Sequence, residues 1–449
     1  TVTIDTTAPG VPTGLALAAG SDSGSSASDR ITNVVAPTVT GTAEANSVVT
    51  LYDGTAVAGT GTASASGVWS ITSATLAGGD HTLTATALDA AGNTSTASTG
   101  LTVTIDSTTA APTGLALAAG SDSGSNSSDG ITNIVTPTVT GTAEANSVVT
   151  LYDGTLVVGA GTADGSGVWS IVSSTLSTGG HTLTATAVDV AGNTSTASTG
   201  LTVTIDTTTA VPTGLALAAG SDSGSSASDR ITNVTAPTVT GTAEANSVVT
   251  LYDGTAVAGT GTANGSGVWS ITSATLGSGG HTLTATTVDV AGNTSTASTG
   301  LTVTIDSTTA APTGLVLAAG SDSGSSASDR TTNVTAPTVT GTAEANSVVT
   351  LYDGTAVAGT GTANGSGVWS ITSATLAGGD HTLTAMAVDL AGNTSTASTG
   401  LTVTIDTTTA APTGLALAAG SDSGSSASDR ITNVTAPTVT GTAEANSVV

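Results

Sequence analysis

The 449-residue chain contains no cysteine and no phenylalanine, and its four basic residues are all arginine. Small secreted domains are often held together by disulfides, and the lack of cysteine excludes that support. Aromatic residues make up 2% of the chain, so a hydrophobic core must be built from Leu, Val, Ile and Ala. A small domain with so light a core has modest stability, and a bound metal ion is one further source of stabilisation.

Positive charge is nearly absent, because 31 acidic residues against four Arg give a net charge of −27. Nucleic acid and anionic lipid surfaces repel such a chain, so we predict no nucleic-acid partner. The rest of the chain is mainly Thr, Ser, Gly, Ala and Val, which favours strands and turns over helices. No run of 18 apolar residues occurs, so we predict no membrane insertion within these residues.

The sequence repeats with a period of 100 residues. The run PTVTGTAEANSVVTLYDG begins at Pro37, Pro137, Pro237 and Pro337, and its first part returns at Pro437. A period of this size corresponds to a whole small domain. We predict the end of a preceding repeat at 1–5, repeats at 6–106, 107–206, 207–306 and 307–406, and a truncated fifth repeat at 407–449. Both ends break off within a repeat, so we expect a longer protein.

Each repeat shows the period-two alternation of half-buried strands. In the first repeat we predict seven strands, A to G, at about 15–18, 38–43, 49–53, 56–63, 69–71, 82–87 and 101–105, with a long polar A–B loop at 21–33. Trp69 and Ile71 alternate with polar residues, so we expect both in the core rather than on a sugar-binding surface. The pattern predicts an all-β fold, in which immunoglobulin-like seven-stranded β-sandwiches form a linear array with short, stiff, Pro-bearing linkers.

The segments TVTIDTTAPGVPTGL, SDSGSSASDRITN, GVWS and HTLTATALDAAGN, together with the repeated run above, resemble the bacterial Ig-like repeats of giant secreted adhesins of the biofilm-associated and RTX kind. The resemblance covers the whole chain. It implies an extracellular stalk that binds calcium near domain junctions and holds a distal adhesive region away from the cell, and it implies export by type I secretion. The glycine-rich nonapeptides of RTX β-rolls are absent, so we predict no site of that type.

The topology of a seven-stranded sandwich predicts where the acidic residues lie. The A–B, C–D and E–F loops and the exit of strand G share one end of a repeat, and the B–C, D–E and F–G loops share the other. Two acidic sets therefore face each other across the linker. The first repeat and the linker contribute Asp22, Asp29, Asp53 and Asp106, and the second repeat contributes Glu144, Asp189 and Asn193.

Carboxylate and amide oxygens are the ligands that Ca²⁺ prefers, and Ca²⁺ takes about 6–8 of them. Without a cation these acids would repel one another at close range. We therefore predict one or more Ca²⁺ ions per junction. Glu44-type and Asp53-type residues are weaker candidates that cap turns. The predicted ligands are Asp5, Asp89 and Asn93; Asp22, Asp29, Asp106, Asp189 and Asn193; Asp122, Asp129, Asp206, Asp289 and Asn293; Asp222, Asp229, Asp306, Asp389 and Asn393; and Asp322, Asp329 and Asp406.

Simpler interpretations remain open for several of these residues. Aspartate is a common turn residue, so each acid alone fits ordinary turn chemistry. His81 and its copies fit the start of a strand at the rim of a sandwich, because each repeat offers no second His or Cys for a transition-metal site. Arg30 beside Asp29 predicts a weak surface ion pair. No nucleophile elbow or phosphate loop occurs, so we predict no enzymatic activity.

We expect the chain to be a calcium-stiffened stalk outside a bacterial cell, whose partners are calcium ions and the neighbouring repeats, with the adhesive ligand bound elsewhere in the full protein. The alternative is a multivalent array in which the repeats themselves contact carbohydrate, ice or like repeats, for example through the outward Thr rows of strands F and G. The sequence suits both functions equally.

Overall fold

A computed structural model describes all 449 residues, and every regular element in it is a β-strand. The all-β prediction is therefore confirmed. None of its elements is a helix that could cross a membrane. The first repeat contains β1 Thr13–Leu17, β2 Ile31–Thr32, β3 Thr38–Thr42, β4 Val48–Asp53, β5 Ala56–Thr62, β6 Val68–Thr72, β7 Gly79–Leu88 and β8 Leu101–Ile105.

The same eight strands recur in the next three repeats. The second repeat contains β9 Thr113–Leu117, β10 Ile131–Thr132, β11 Thr138–Thr142, β12 Val148–Asp153, β13 Leu156–Thr162, β14 Val168–Val172, β15 Gly179–Val188 and β16 Leu201–Ile205. The third contains β17 Thr213–Leu217, β18 Ile231–Thr232, β19 Thr238–Thr242, β20 Val248–Asp253, β21 Ala256–Thr262, β22 Val268–Thr272, β23 Gly279–Val288 and β24 Leu301–Ile305.

The fourth repeat contains β25 Thr313–Leu317, β26 Thr331–Thr332, β27 Thr338–Thr342, β28 Val348–Asp353, β29 Ala356–Thr362, β30 Val368–Thr372, β31 Gly379–Val388 and β32 Leu401–Ile405. The last 43 residues add only the hairpin of β33 Thr413–Leu417 and β34 Val439–Thr442. Without the remaining strands this hairpin buries little, and Leu415 and Val439 on it are exposed.

Two sheets face each other in each complete repeat. In the first repeat one sheet has the order β1-β3-β6 and the other has the order β2-β8-β7-β4-β5. This arrangement is the predicted immunoglobulin-like sandwich. The prediction of seven strands missed β2, a two-residue strand inside the predicted A–B loop that pairs in parallel with β8. The pairing anchors the loop to the linker, since Asp106 N donates to Thr32 O at 2.9 Å.

The core lies between the sheets and has nearly the same composition in each repeat. In the first repeat 13 buried hydrophobic residues form one cluster, which includes the predicted inward residues Leu51, Trp69, Ile71 and Leu83. Trp69 is 1% exposed, so its predicted place in the core is confirmed. Its indole ring lies against Gly41 on the neighbouring strand β3, where no side chain separates the ring from the backbone.

The contact between tryptophan and glycine can be tested by adding one methyl group to each repeat. A Cβ at Gly41, Gly141 or Gly241 would lie 2.5 Å from the Trp Cζ2 atom. We expect Ala at positions 41, 141, 241 and 341 together to destabilise each repeat by about 1–3 kcal/mol, because overpacking forces strain on a close-packed core. Denaturant unfolding followed by tryptophan fluorescence measures the change.

The matched control is Ala at Gly165, Gly265 and Gly365, where a Cβ meets nothing within 4 Å and where the first repeat already carries Ala65. We expect this control to stay within about 0.5 kcal/mol of the wild type. Equal stability of the two variants would contradict the proposed close packing.

Candidate metal centre at the junctions between repeats

Consecutive repeats meet through direct hydrogen bonds. Ser23 Oγ in the A–B loop of the first repeat donates to Ala191 O at 2.8 Å, and Ser25 N donates to Val190 O at 3.1 Å. Val190 and Ala191 belong to the F–G turn of the second repeat, residues 189–193. The serine contact recurs at the next two junctions, where Ser123 and Ser223 donate to the carbonyls of Ala291 and Ala391. The structure thus brings together the two ends that the topology predicted to face each other.

Glycine is required at the centre of this contact. Gly24 has a φ of +95°, and a Cβ on it would lie 2.0 Å from Val190 O. Gly124 and Gly224 are equally close to the F–G turns of the third and fourth repeats. The backbones touch with no side chain between them, so the contact itself restricts the angle between neighbouring repeats.

Three carboxylates converge beside this contact at each of the three complete junctions. Each carboxylate contributes one oxygen, and the three oxygens lie within 4.8 Å of one another. We call each set of three carboxylates an acid triad. Its members are the linker aspartate, the B–C glutamate and the first aspartate of the F–G turn: Asp106, Glu144 and Asp189; Asp206, Glu244 and Asp289; and Asp306, Glu344 and Asp389.

Hydrogen bonds hold the triad in place. Asn193 Nδ2 donates to Asp189 Oδ2 at 2.7 Å and to the backbone oxygen of Asp106 at 2.9 Å. It therefore ties the turn of one repeat to the linker that precedes it. Thr109 Oγ1 in the linker donates to Glu144 Oε2 at 2.9 Å, and Asp189, which is 3% exposed, also accepts from Asn193 N at 2.8 Å.

The structure divides the predicted ligand set into three roles. Asp106 and Asp189 belong to the triad, together with Glu144, which the sequence ranked as a turn residue. Asn193 donates from its amide nitrogen to Asp189 and to the backbone oxygen of Asp106. That nitrogen therefore positions the acids and is not itself a cation ligand. Asp22 and Asp29 lie outside the triad. The signal for Glu144 was present in the sequence, because the B–C and F–G loops share one end of a sandwich.

Asp22 and Asp29 make local bonds in the A–B loop. Asp22 Oδ2 accepts from Arg30 N at 3.3 Å, and Asp29 Oδ1 accepts from Ile31 N at 3.1 Å. The equivalents Asp122, Asp129, Asp222, Asp229, Asp322 and Asp329 make the same contacts.

The outer ends of the chain show partial versions of the junction. Asn93 Nδ2 donates to Asp89 Oδ2 at 2.9 Å and to Asp5 O at 3.2 Å, but Asp5 is exposed and completes no triad. The amide of Asn93 lowers the pKa of Asp89. At the other end Asp406 and Glu444 line one cavity with Asp329.

Asp53 is paired with histidine instead of lying in the triad. Its Oδ2 atom lies 2.7 Å from His81 Nδ1, and His81 Nε2 lies 2.9 Å from Ala77 O. The same arrangement holds for His181, His281 and His381, and these four His–Asp pairs are the ion pairs of the structure. The predicted ion pair of Arg30 is therefore wrong. Arg30 has a φ of +66°, in the left-handed region. Its side chain therefore leaves the backbone in a different direction from that of an extended residue next to Asp29.

The donor set of the triad fits a hard divalent cation. It consists of carboxylate oxygens, and no His or Cys belongs to the group. No basic side chain forms an ion pair with any triad member. Carboxylates of this kind, with backbone oxygens and water completing the shell, are the usual ligands of Ca²⁺. Residues Asp106, Glu144 and Asp189 and their equivalents would hold the ion.

The fold and junctions define a class, the tandem array of immunoglobulin-like β-sandwiches. The family described as bacterial Ig-like domain matches residues 7–107, 108–207, 208–307, 308–407 and 408–449. The chain therefore belongs to the bacterial Ig-like domain family, and the resemblance to bacterial Ig-like repeats is confirmed. A comparison with curated proteins found no match.

Several solved structures are similar to this chain. A solved chain from a study of a 1.5-MDa bacterial ice-binding adhesin is 19% identical, with 62% of this chain and 95% of that solved chain covered and a TM-score of 0.30. The fibronectin(III)-like modules of Clostridium thermocellum CbhA are 16% identical over 43% and 94%, with a TM-score of 0.25. The BSP domain of a biofilm associated protein is 12% identical over 89% and 96%, with a TM-score of 0.17.

The backbone contact at the junction can be tested with two glycines in the same strained conformation. Gly124 has a φ of +94°, and a Cβ would lie 1.9 Å from Val290 O, whereas Gly324 has a φ of +103° and a Cβ would meet nothing within 4 Å. We expect Gly124→Ala to separate the second and third repeats and to make the chain more flexible in small-angle X-ray scattering. The measurement is made in EDTA, so that no divalent cation contributes.

Gly324→Ala is the control, because alanine there has the same unfavourable φ but displaces no neighbouring backbone. Its scattering profile should match that of the wild type. Identical profiles for the two variants would show that the serine and glycine contact does not hold the repeats together.

The hydrogen bonds of the histidines lead us to expect that the free energy of unfolding falls at alkaline pH. Both ring nitrogens of His81 face acceptors, and both can donate only when the ring is protonated. Burial lowers the pKa of His81, but the bonds to Ala77 and Asp53 and the charge of Asp53 outweigh it, so the pKa is raised above 6.5. The pKa values of His181, His281 and His381 are raised as well.

Because the folded-state pKa is the higher one, this stabilisation is fully present below the unfolded pKa and disappears as the pH rises through the folded pKa. We expect the unfolding temperature of the wild type to fall by a few degrees between about pH 6 and pH 9. Gln at positions 81, 181, 281 and 381 should remove most of that dependence. Parallel pH profiles for the wild type and this variant would refute the role of the histidines.

Proposed function

We propose that this chain is the calcium-stiffened extender region of a large bacterial surface adhesin, in which the repeats hold a distal adhesive domain away from the cell. The extracellular location and the type I secretion route belong to the same proposal. The observation that carries it is the acid triad, which recurs at each of the three complete junctions and nowhere else in the chain.

The position of the triad supports a mechanical role. Asp106 lies in the linker, Glu144 in the B–C turn and Asp189 in the F–G turn, so an ion bound to all three joins the linker to two loops of the following repeat. Asn193 extends the connection by bonding to the linker backbone. A cation at this place resists bending and twisting between repeats, because any such motion changes the distances among its ligands.

The direct contacts and the cation would act together. A side-chain hydrogen bond from Ser23 and backbone contacts of Gly24 and Ser25 already join the first repeat to the second. The triad beside them adds repulsion when no cation is present and attraction when one is. The contact thus specifies the angle between repeats, and the cation stabilises it.

The dimensions suit extension. Strands rise by roughly 3.3 Å per residue, so a sandwich with its linker spans on the order of 40 Å and four repeats span on the order of 160 Å. Low calcium inside a cell would leave the junctions unclamped during export, and external calcium would favour the stiff state by mass action.

A second candidate function is a binding array. Thr50, Thr60 and Thr86 lie side by side on β4, β5 and β7, and they form an uncharged row on the outer face of the five-stranded sheet. The row recurs in the following repeats, although Ala160 and Met386 each replace one Thr. Such faces favour contact with carbohydrate, ice or a like repeat. This function differs from extension in that it requires a ligand of the repeats themselves.

Removing one carboxylate from a junction tests the main proposal. We expect the wild type to unfold at a higher temperature in Ca²⁺ than in EDTA. A free Ca²⁺ concentration one hundred times Kd should add about 2.7 kcal/mol to the free energy of unfolding for each ion bound. Scattering should show a stiffer chain in Ca²⁺. Asp206→Asn should reduce the number of bound ions by one in equilibrium dialysis and should restore flexibility between the second and third repeats.

The matched control is Asp164→Asn, which removes the same charge from a turn where the third and fourth repeats carry Asn264 and Asn364. It should bind as many ions as the wild type. Equal unfolding temperatures and equal scattering in Ca²⁺ and EDTA would overturn the proposal.

A further inference from the structure

The D–E turn, which joins the two sheets of a repeat, contains an asparagine followed by glycine in two of the four complete repeats. Asn264 and Gly265 lie between β21 and β22, and Asn364 and Gly365 lie between β29 and β30. All four residues are exposed, and no other asparagine of the chain precedes a glycine. Glycine has no Cβ beside its nitrogen, so this pair leaves the main-chain nitrogen open to reaction with the asparagine side chain.

The structure prepares the side-chain amide of this asparagine for attack. Asn264 Oδ1 accepts from Ser266 N at 2.9 Å and from Val268 N at 3.0 Å. The same two bonds, at the same distances, hold Asn364 Oδ1. When a nucleophile adds to Cγ, negative charge develops on this oxygen, and backbone N–H groups already placed on it stabilise that charge.

The nucleophile and the leaving group are both unengaged. Gly265 N donates no hydrogen bond, and Asn264 Nδ2 makes none either. A Cβ on Gly265 would meet nothing within 4 Å, so there is open space beside its nitrogen. The attack therefore requires no hydrogen bond of either nitrogen to be broken first.

We propose that Asn264 and Asn364 are sites of spontaneous covalent modification in the folded chain. Gly265 N forms a bond to Asn264 Cγ, the bond from Cγ to Nδ2 breaks, and the hydrogen of Gly265 N leaves with that nitrogen as ammonia. Water then opens the resulting succinimide ring at either carbonyl. Opening at Cγ gives aspartate, and opening at the main-chain carbonyl gives isoaspartate. Each product carries a negative charge that asparagine lacks.

The two products differ in what the turn tolerates. The second repeat has aspartate at this position, and Asp164 Oδ1 accepts from Ser166 N at 2.8 Å and from Val168 N at 2.9 Å. Aspartate therefore preserves the turn. Isoaspartate instead routes the main chain through the side-chain carbons, which removes the Oδ1 acceptor from its place and disturbs the turn.

The modified turn lies beside the turn that carries a member of the acid triad. Asn246 N donates to Ala263 O at 3.1 Å and to Asn264 O at 3.4 Å, and Asn246 belongs to the same B–C turn as Glu244. The new charge therefore arises at the end of the repeat that meets the preceding linker. The reaction itself involves no triad residue, so it is independent of the proposed function.

Timed incubation of the full chain at mildly alkaline pH, followed by peptide mapping, tests this proposal. Trypsin cleaves after arginine and releases residues 231–330 and 331–430, each with one Asn–Gly pair. We expect both peptides to gain the mass difference between an amide and an acid, and to be labelled by an isoaspartyl methyltransferase. The mass of peptide 31–230, which has no Asn–Gly pair, should stay unchanged. The folded chain should react at least as fast as the chain unfolded in urea.

Gly265→Ala is the matched variant, because the first repeat already carries Ala65 and the added methyl group meets nothing within 4 Å. It should slow the mass change of peptide 231–330 several-fold by shielding the nitrogen, while peptide 331–430 of the same chain reacts at the wild-type rate. Equal rates for peptide 231–330 in the variant and the wild type would overturn the proposal. So would a reaction confined to the urea-unfolded chain, because the turn would then protect the asparagine.

Discussion

Three carboxylates lie within 4.8 Å of one another at each complete junction, and no basic side chain pairs with them. Like charges at this separation repel, and a protein with four Arg among 31 acids has almost nothing with which to neutralise them. The hydrogen bonds of Asn193 and Thr109 nevertheless hold the acids together. A bound divalent cation would relieve this repulsion, and our proposal for the stiffness of the chain rests on that relief.

The contact beside the triad determines where the repulsion acts. The A–B loop and the F–G turn approach so closely at Gly24 that no side chain fits between them. This close contact restricts the angle at which the carboxylates of the triad meet. The same loop contains the buried, unpartnered Oδ1 atom of Asp22.

Inside the repeat the structure compensates for its lack of disulfides and of aromatic residues. One tryptophan fills the centre of the sandwich, and it lies against a glycine that leaves room for the ring. The His81–Asp53 pair connects the start of β7 to the C–D turn and, through Ala77, to the E–F loop. The strand start and the two loops lie at the end of the repeat that also carries the linker, so the histidine helps to make that end rigid.

The sequence alone determined the fold and which loops meet at the junction between repeats. Alternation is a local property, because successive side chains on a strand point to opposite faces, and it placed Trp69, Ile71 and Leu83 in the core. The order of the loops along the chain was sufficient to bring Asp106 toward Glu144 and Asp189. Only the tertiary structure decided that β2 pairs with β8, that Asp53 binds His81, and that Asp22 lies apart from Asp189. Those outcomes depend on the path of a long loop and on the direction of individual side chains, which contacts between residues distant in the chain determine.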